Sequence, residues 1–247
     1  MNYLKALILG LTQGLTEFLP VSSSGHLVLL ERLGFASTDV FLNLTLHVAT
    51  LAAVLIVMRR EVWGILRHPV RGDGKYVLLA SLPTVGIALL FELFCPVLLF
   101  GSLLAFGFLA TAALLFLSEK LARDKGKSVG VGNSLLTGVT QGFAVLPGLS
   151  RSGATIAALR LSGVSCERAA AFSFLLSVPV IAGGFLFEGV KTGFSVQGAD
   201  VGAVAVAAVA AFLSGLFAAR FMLSRIKKMT PFALYTLVLG VLCFFLI

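Results

Sequence analysis

Six apolar runs, at about 38–58, 76–95, 97–118, 168–190, 200–221 and 231–247, each come close to the ~20 residues a helix needs to cross the hydrocarbon of a bilayer. They settle the class of chain first. Of its 247 residues, 58% are hydrophobic and only 12% are charged, about half the charged share of a water-soluble domain. Such a chain cannot coat a soluble globule of this size with polar groups, so a cytosolic enzyme is excluded. The sequence reads as an all-α polytopic membrane protein, a single membrane domain over 1–247. No cleavable signal peptide is expected: the first apolar stretch carries Gln13 and Glu17 and runs into Pro20 without a small-residue cleavage site. Cys95, Cys166 and Cys243 lie scattered in or beside apolar runs. Their spacing suggests neither a metal site nor a disulfide framework, and they are expected to be buried small hydrophobes.

Two further apolar stretches, 3–35 and 131–165, differ from the six. Each is broken in the middle, the first at Pro20-Val21-Ser22-Ser23-Ser24-Gly25 and the second at Pro147-Gly148-Leu149-Ser150-Arg151-Ser152-Gly153. The flanking pieces are about 10–17 residues long, short for a crossing. Two short helices around a polar break read as a re-entrant hairpin. Irregular backbone is tolerated at membrane depth only against protein or a water-filled cavity.

The net charge of +8 locates the loops. Thirteen of the 19 basic residues fall at 59–75, 118–130 and 220–228, while Lys5, Arg32 and Lys191 map to the other side. Basic loops stay cytoplasmic, so the charge labels topology and does not point to nucleic acid. Traced from there, the first hairpin enters from outside and the second from the cytoplasm. Each half, about 1–120 and 130–247, is then a hairpin plus three transmembrane helices, in opposite orientation. That is an inverted-topology repeat. The sequence supports it directly: Gly10–Gly25 aligns without gaps on Gly138–Gly153 at a shift of 128, with seven identities in sixteen positions. The identities fall on the breaks, so the two breaks should meet.

The breaks concentrate groups that hydrocarbon rejects. Glu17, Arg151 and His26 lie there with Gln13, Ser22, Ser23, Ser24, Gln141, Ser150, Ser152 and Thr155. An intramembrane charge marks function by default. A purely structural Glu17–Arg151 ion pair is the plainer reading, but it leaves His26 and six nearby hydroxyls unexplained. Gln13 and Glu17, at i and i+4, share one helix face. The serine runs open the following half-helices, where free backbone N–H groups and the helix dipole attract phosphate. Arginine adds a bidentate phosphate clamp. Anion cradle, carboxylate, imidazole and hydroxyls together suit phosphoryl transfer. A phosphate-carrying transporter would use the same cradle.

The segment from Gln13 to His26, together with Pro147-Gly148-Leu149-Ser150-Arg151-Ser152-Gly153-Ala154-Thr155, resembles the two signature motifs of the bacterial undecaprenyl-diphosphate phosphatase family, also called bacitracin-resistance proteins. The likeness extends over essentially the whole chain, including Phe172–Pro179 and the stretch 227–233. It implies hydrolysis of undecaprenyl diphosphate to the monophosphate and inorganic phosphate. That reaction recycles the lipid carrier of envelope polymers and confers bacitracin resistance. The resemblance also implies the bacterial inner membrane and a divalent cation, Mg²⁺ or Ca²⁺. By position it makes Glu17, His26, Arg151, Ser22 and Ser23 catalytic, with Glu17 also a candidate metal ligand. Gln13, Ser24, Ser150, Ser152, Gly153 and Thr155 become substrate-binding residues. Gln13 stands where many members carry Glu, so it cannot supply negative charge for a metal. Ser22, Ser23 or a water is the nucleophile, with His26 and Glu17 handling protons.

A polyprenyl-phosphate transporter or flippase is the alternative, since broken helices in inverted repeats are also a transporter layout. His47 and Asn43, at i and i+4 on the third segment, read first as packing and interhelical hydrogen bonding, and second as support to the site. Glu92 reads as interfacial. Small residues crowd 201–219 and suit close helix contact, either within the protein or across a homodimer interface.

Overall fold

The computed structural model describes residues 2–36, 39–193, 200–225 and 227–246. Among them are eleven α-helices, one 3₁₀ turn and no strand. The helices are α1 (Tyr3–Phe18), α2 (Ser23–Arg32), α3 (Val40–Val57), α4 (Arg59–Arg67), α5 (Gly72–Phe94), α6 (Leu104–Leu121), α7 (Val131–Phe143), α8 (Arg151–Leu161), α9 (Cys166–Thr192), α10 (Val201–Arg225) and α11 (Thr230–Leu246). Helices α3, α5, α6, α9 and α10 are long and apolar enough to cross a membrane. The protein is a multi-pass membrane protein. Leu82, Val190 and Phe245 are exposed at 69%, 74% and 83%, an outer surface that water would not tolerate over such an extent.

Six crossings are expected from the sequence. The sixth, α11, is apolar but 17 residues long, about 25 Å of rise. Thr38 and Ile247, which fall within the expected runs, lie outside the described residues. The expected crossing from 97 begins instead at Leu104. Pro96–Phe100 winds as a 3₁₀ turn that ends at Gly101 with φ 80°, a left-handed conformation that stops a helix. The basic stretch 59–75 is not simply a loop, because it holds α4, in which no residue is buried. Arg67 stacks over Trp63 there, 4.9 Å from the ring centroid. This suits a helix at a membrane surface. Cys95 is exposed rather than buried, because it ends α5 just before Pro96; Cys166 is half-buried and Cys243 buried.

Both broken stretches fold as pairs of short helices, with 16 and 10 residues in α1 and α2 and 13 and 11 in α7 and α8. α1 stops at Leu19, which is extended (φ −70°, ψ 144°) as the residue before a proline tends to be. α2 and α8 start on the same device. The Ser22 hydroxyl accepts from the Gly25 N–H at 3.3 Å, and the Ser150 hydroxyl accepts from the Gly153 N–H at 3.1 Å.

Glycines let the first helix of each pair approach a crossing helix closely. α1 lies along α10, and α7 along α5. A Cβ on Gly10 would sit 2.2 Å from the Ala207 carbonyl oxygen, and one on Gly138 would sit 2.1 Å from that of Ala80. The buried small residues of α10, among them Ala203, Ala207, Ala211 and Gly215, therefore serve contact inside the protein. The largest core cluster, with Phe18, Ile156, Phe172, Phe174, Leu176 and Met222, ties α1, α8, α9 and α10 together. Thr111 of α6 closes the second break: its hydroxyl donates to the Gly148 carbonyl and accepts from the Ser150 N–H, both at 2.8 Å. Backbone groups freed by a break thus find partners within the protein.

Candidate active site

The two breaks meet. The Ser152 hydroxyl donates to the Leu19 carbonyl at 3.1 Å, so the second break caps the end of α1 in the first hairpin. At this junction Arg151 donates to Glu17 Oε1 at 2.6 Å. The other carboxylate oxygen, Oε2, accepts from the Ser23 hydroxyl at 2.7 Å and from Gln13 Nε2 at 3.0 Å. Glu17 is 6% exposed and the Arg151 side chain 14%, so the pair is nearly enclosed. An enclosed ion pair suits the interior only when its remaining groups are also bonded. Here they are not all bonded: Arg151 Nη1 and Gln13 Oε1 are buried without a partner.

A cavity of about 480 Å³ opens beside this pair. Glu17, Ser22, Ser23, Ser24, Ser150 and Arg151 form its polar wall, with Asn43 and His47 of α3 facing them. Leu27, Val28, Leu44, Val180, Ile181 and Phe185 form an apolar wall. Ser22 holds a φ of 71°, the only left-handed non-glycine among the described residues. Strain of that kind concentrates at functional sites.

His26 does not line the cavity. Its Nδ1 donates to the Ser22 carbonyl at 2.7 Å, so Nε2 carries the lone pair and accepts from the Tyr235 hydroxyl, also at 2.7 Å. The two rings stack at 5.7 Å, and Phe108 meets the imidazole edge-on at 5.5 Å. Among the described residues, no group of three or more His, Cys, Asp or Glu gathers to hold a metal ion. Of the motif residues on the cavity wall, Glu17 remains as the charged donor. That donor suits a cation arriving with substrate phosphates better than a cage built by protein alone.

The family model for bacitracin resistance protein BacA matches residues 6–242. The chain belongs to the bacitracin-resistance protein family. Relatives over nearly its whole length are the proteins named undecaprenyl-diphosphatase from Carboxydothermus hydrogenoformans, Christiangramia forsetii and Halothermothrix orenii. The first is 39% identical over 98% of this chain and 96% of that protein. The second is 39% identical over 97% and 96%. The third is 40% identical over 98% and 97%.

In this bacitracin-resistance protein the motif residues divide into two groups. Glu17, Ser22, Ser23, Ser24, Ser150 and Arg151 share the cavity wall. Gln13, His26, Ser152, Gly153 and Thr155 stand behind it. Thr155 donates to backbone carbonyls of its own helix and lies 2.6 Å from the Ser173 hydroxyl of α9, so it ties α8 to α9. Ser150 spends its hydroxyl on the α8 cap. Gln141 is buried and donates to Thr84 at 3.0 Å. Two acidic residues that the motifs do not include, Glu31 and Glu188, line the cavity rim. Tyr235, the partner of His26, comes from α11 and carries no signal in the sequence. Glu92 pairs with Lys191.

Proposed function

We propose that this chain hydrolyses undecaprenyl diphosphate to undecaprenyl phosphate and inorganic phosphate. The observation that carries the reading is the Arg151–Glu17–Ser23 chain of hydrogen bonds on a cavity wall, in a chain related over its whole length to undecaprenyl-diphosphatases. The cavity has the two-sided chemistry such a substrate needs, a polar wall for the diphosphate and an apolar wall for the lipid.

Ser23 is the nucleophile this geometry favours. Its hydroxyl already donates to Glu17, whereas Ser22 caps α2. Ser23 Oγ attacks the terminal phosphorus, its proton passes to Glu17 Oε2, and the bridging P–O bond breaks to release the lipid monophosphate. Arg151, with Nη1 unpaired, neutralises charge gathering on the phosphoryl oxygens. His26 locks the Ser22 carbonyl and so holds the serine loop against Glu17. A divalent cation, Mg²⁺ or Ca²⁺, would be held by Glu17 together with the diphosphate, and would supply charge neutralisation.

An inverted repeat accounts for the helix order. Shifting α1, α2, α3, α5 and α6 by 128 positions brings their first residues onto those of α7, α8, α9, α10 and α11 to within about two residues. The packing of α1 on α10 answers that of α7 on α5. The hairpins are then re-entrant, the first from outside. The cavity rim is formed by Glu31, Val40, Leu99 and Glu188. All four lie at element ends remote from the basic segments 59–75, 118–130 and 220–228, which supports entry from the external face of the inner membrane.

The test is phosphate release by the purified chain from undecaprenyl diphosphate, with Mg²⁺ and with chelator. Release that depends on the cation supports the reading. No release, together with movement of polyprenyl phosphate across proteoliposomes, would favour transport.

A further inference from the structure

The molecule has three histidines. His68 is exposed at the end of α4. His26, the motif histidine, has both ring nitrogens engaged and stands outside the cavity wall. His47 is different. Its Nδ1 donates to the Asn43 carbonyl one turn earlier, at 2.9 Å. A carbonyl only accepts, so Nδ1 carries a proton, and in the neutral ring the lone pair is on Nε2. His47 is half-buried and lines the same cavity as Glu17 and Ser23.

We propose that His47 is a catalytic base: its Nε2 takes the proton of the water that hydrolyses the phosphorylated Ser23. The inference rests on the phosphatase reading above. Attack by Ser23 leaves Glu17 protonated, so the carboxylate cannot accept a second proton in the next step. The hydrolytic step needs another base in the same cavity, and His26 has no ring nitrogen free to serve. In that step the water oxygen bonds to phosphorus and the P–Oγ bond breaks. The water proton goes to His47 Nε2, and Glu17 returns its proton to Ser23 Oγ. Inorganic phosphate leaves, and His47 loses its proton to the solvent in the cavity. The charged groups facing this space are Glu17 from α1, Glu31 from α2, Arg151 from α8 and Glu188 from α9. The Asn43 main-chain carbonyl fixes the ring from one turn earlier.

The test uses the purified full chain with undecaprenyl diphosphate labelled at the terminal phosphate. His47→Gln should lower kcat about a hundredfold, in line with loss of a general base. Its kcat/KM should stay within about twofold, so that KM falls together with kcat, and labelled Ser23 should build up, since attack by the serine is untouched. His47→Ala should regain turnover when imidazole is added. Turnover of His47→Gln within about threefold of wild type would overturn the proposal. So would a loss that imidazole does not restore and that comes without labelled serine, which would mark a structural role. Wild-type protein that releases no phosphate would instead overturn the phosphatase reading, and this inference with it.

Discussion

The two hairpins share a scaffold and divide the chemistry. At equivalent positions both carry a buried glutamine, Gln13 and Gln141. Both cap the second helix with a serine hydroxyl, Ser22 and Ser150. In both, a further serine approaches the capping one, Ser24 to Ser22 at 3.5 Å and Ser152 to Ser150 at 3.3 Å. The reactive groups do not repeat. Where the first hairpin has Glu17, Ser23 and His26, the second has Val145, Arg151 and Ala154. The left-handed residue shifts as well, from Ser22 in the first break to Gly148 in the second, with φ 71° and 91°. In the proposed mechanism the first hairpin supplies the carboxylate and the nucleophilic serine, the second the guanidinium. Neither is a site by itself. Gln13 shows the consequence most simply: it donates to Glu17, whereas Gln141, its counterpart, donates to Thr84.

The largest effect should come from the group that joins the hairpins. Glu17→Gln should lower phosphate release by about a thousandfold or more, as loss of a base acting as a unit with its nucleophile does. It should also destabilise the protein by about 3–5 kcal/mol, because Arg151 is left buried and unpaired. Glu17→Gln combined with Arg151→Gln should recover much of the thermal stability and none of the activity. Recovery of neither would mean that the pair is not what holds the hairpins together. Next come the glycine contacts. Gly10→Ala and Gly138→Ala should each cost about 1–3 kcal/mol as overpacking against a backbone carbonyl, read as a lowered Tm in detergent. A large effect in one and none in the other would break the equivalence of the halves. Tyr235→Phe removes one hydrogen bond to His26, worth about 1 kcal/mol, and should lower kcat severalfold with KM unchanged. The smallest effect belongs to Gln141→Leu, whose turnover should stay within about threefold of wild type, a change of under ~1 kcal/mol. Gln13→Leu, which strips a donor from the Glu17 carboxylate, should cost clearly more.

Most of the fold is legible in the sequence because the membrane allows few answers. Long apolar runs must be helices, and Pro, Gly and Ser clusters must be breaks, which places α3, α5, α9, α10 and both hairpins. The start at Leu104 is not legible, since Val97–Gly101 is as apolar as the helix after it and only a left-handed glycine divides them. Helix α4 is hidden because five basic residues at 59–75 look like any solvated loop. Glu17, Ser23 and Arg151 stand out as polar groups in apolar surroundings. Which motif hydroxyls face a cavity does not, because direction depends on helix packing: Thr155 turns to Ser173 and Ser152 to Leu19. Tyr235 cannot be found from sequence at all. It meets His26 across 209 positions, and a tyrosine on an apolar helix is ordinary at a membrane interface.

The central claim is that Ser23 of one hairpin reacts while Arg151 of the other binds the phosphate it takes. Rapid quenching of the purified protein with undecaprenyl diphosphate labelled at its terminal phosphate tests this directly. Label is expected on Ser23 in the wild type, and on no serine in Ser23→Ala or Arg151→Ala, with turnover lost in both. Wild-type turnover without labelled serine, or a Ser23→Ala protein that releases phosphate at the wild-type rate, would contradict it.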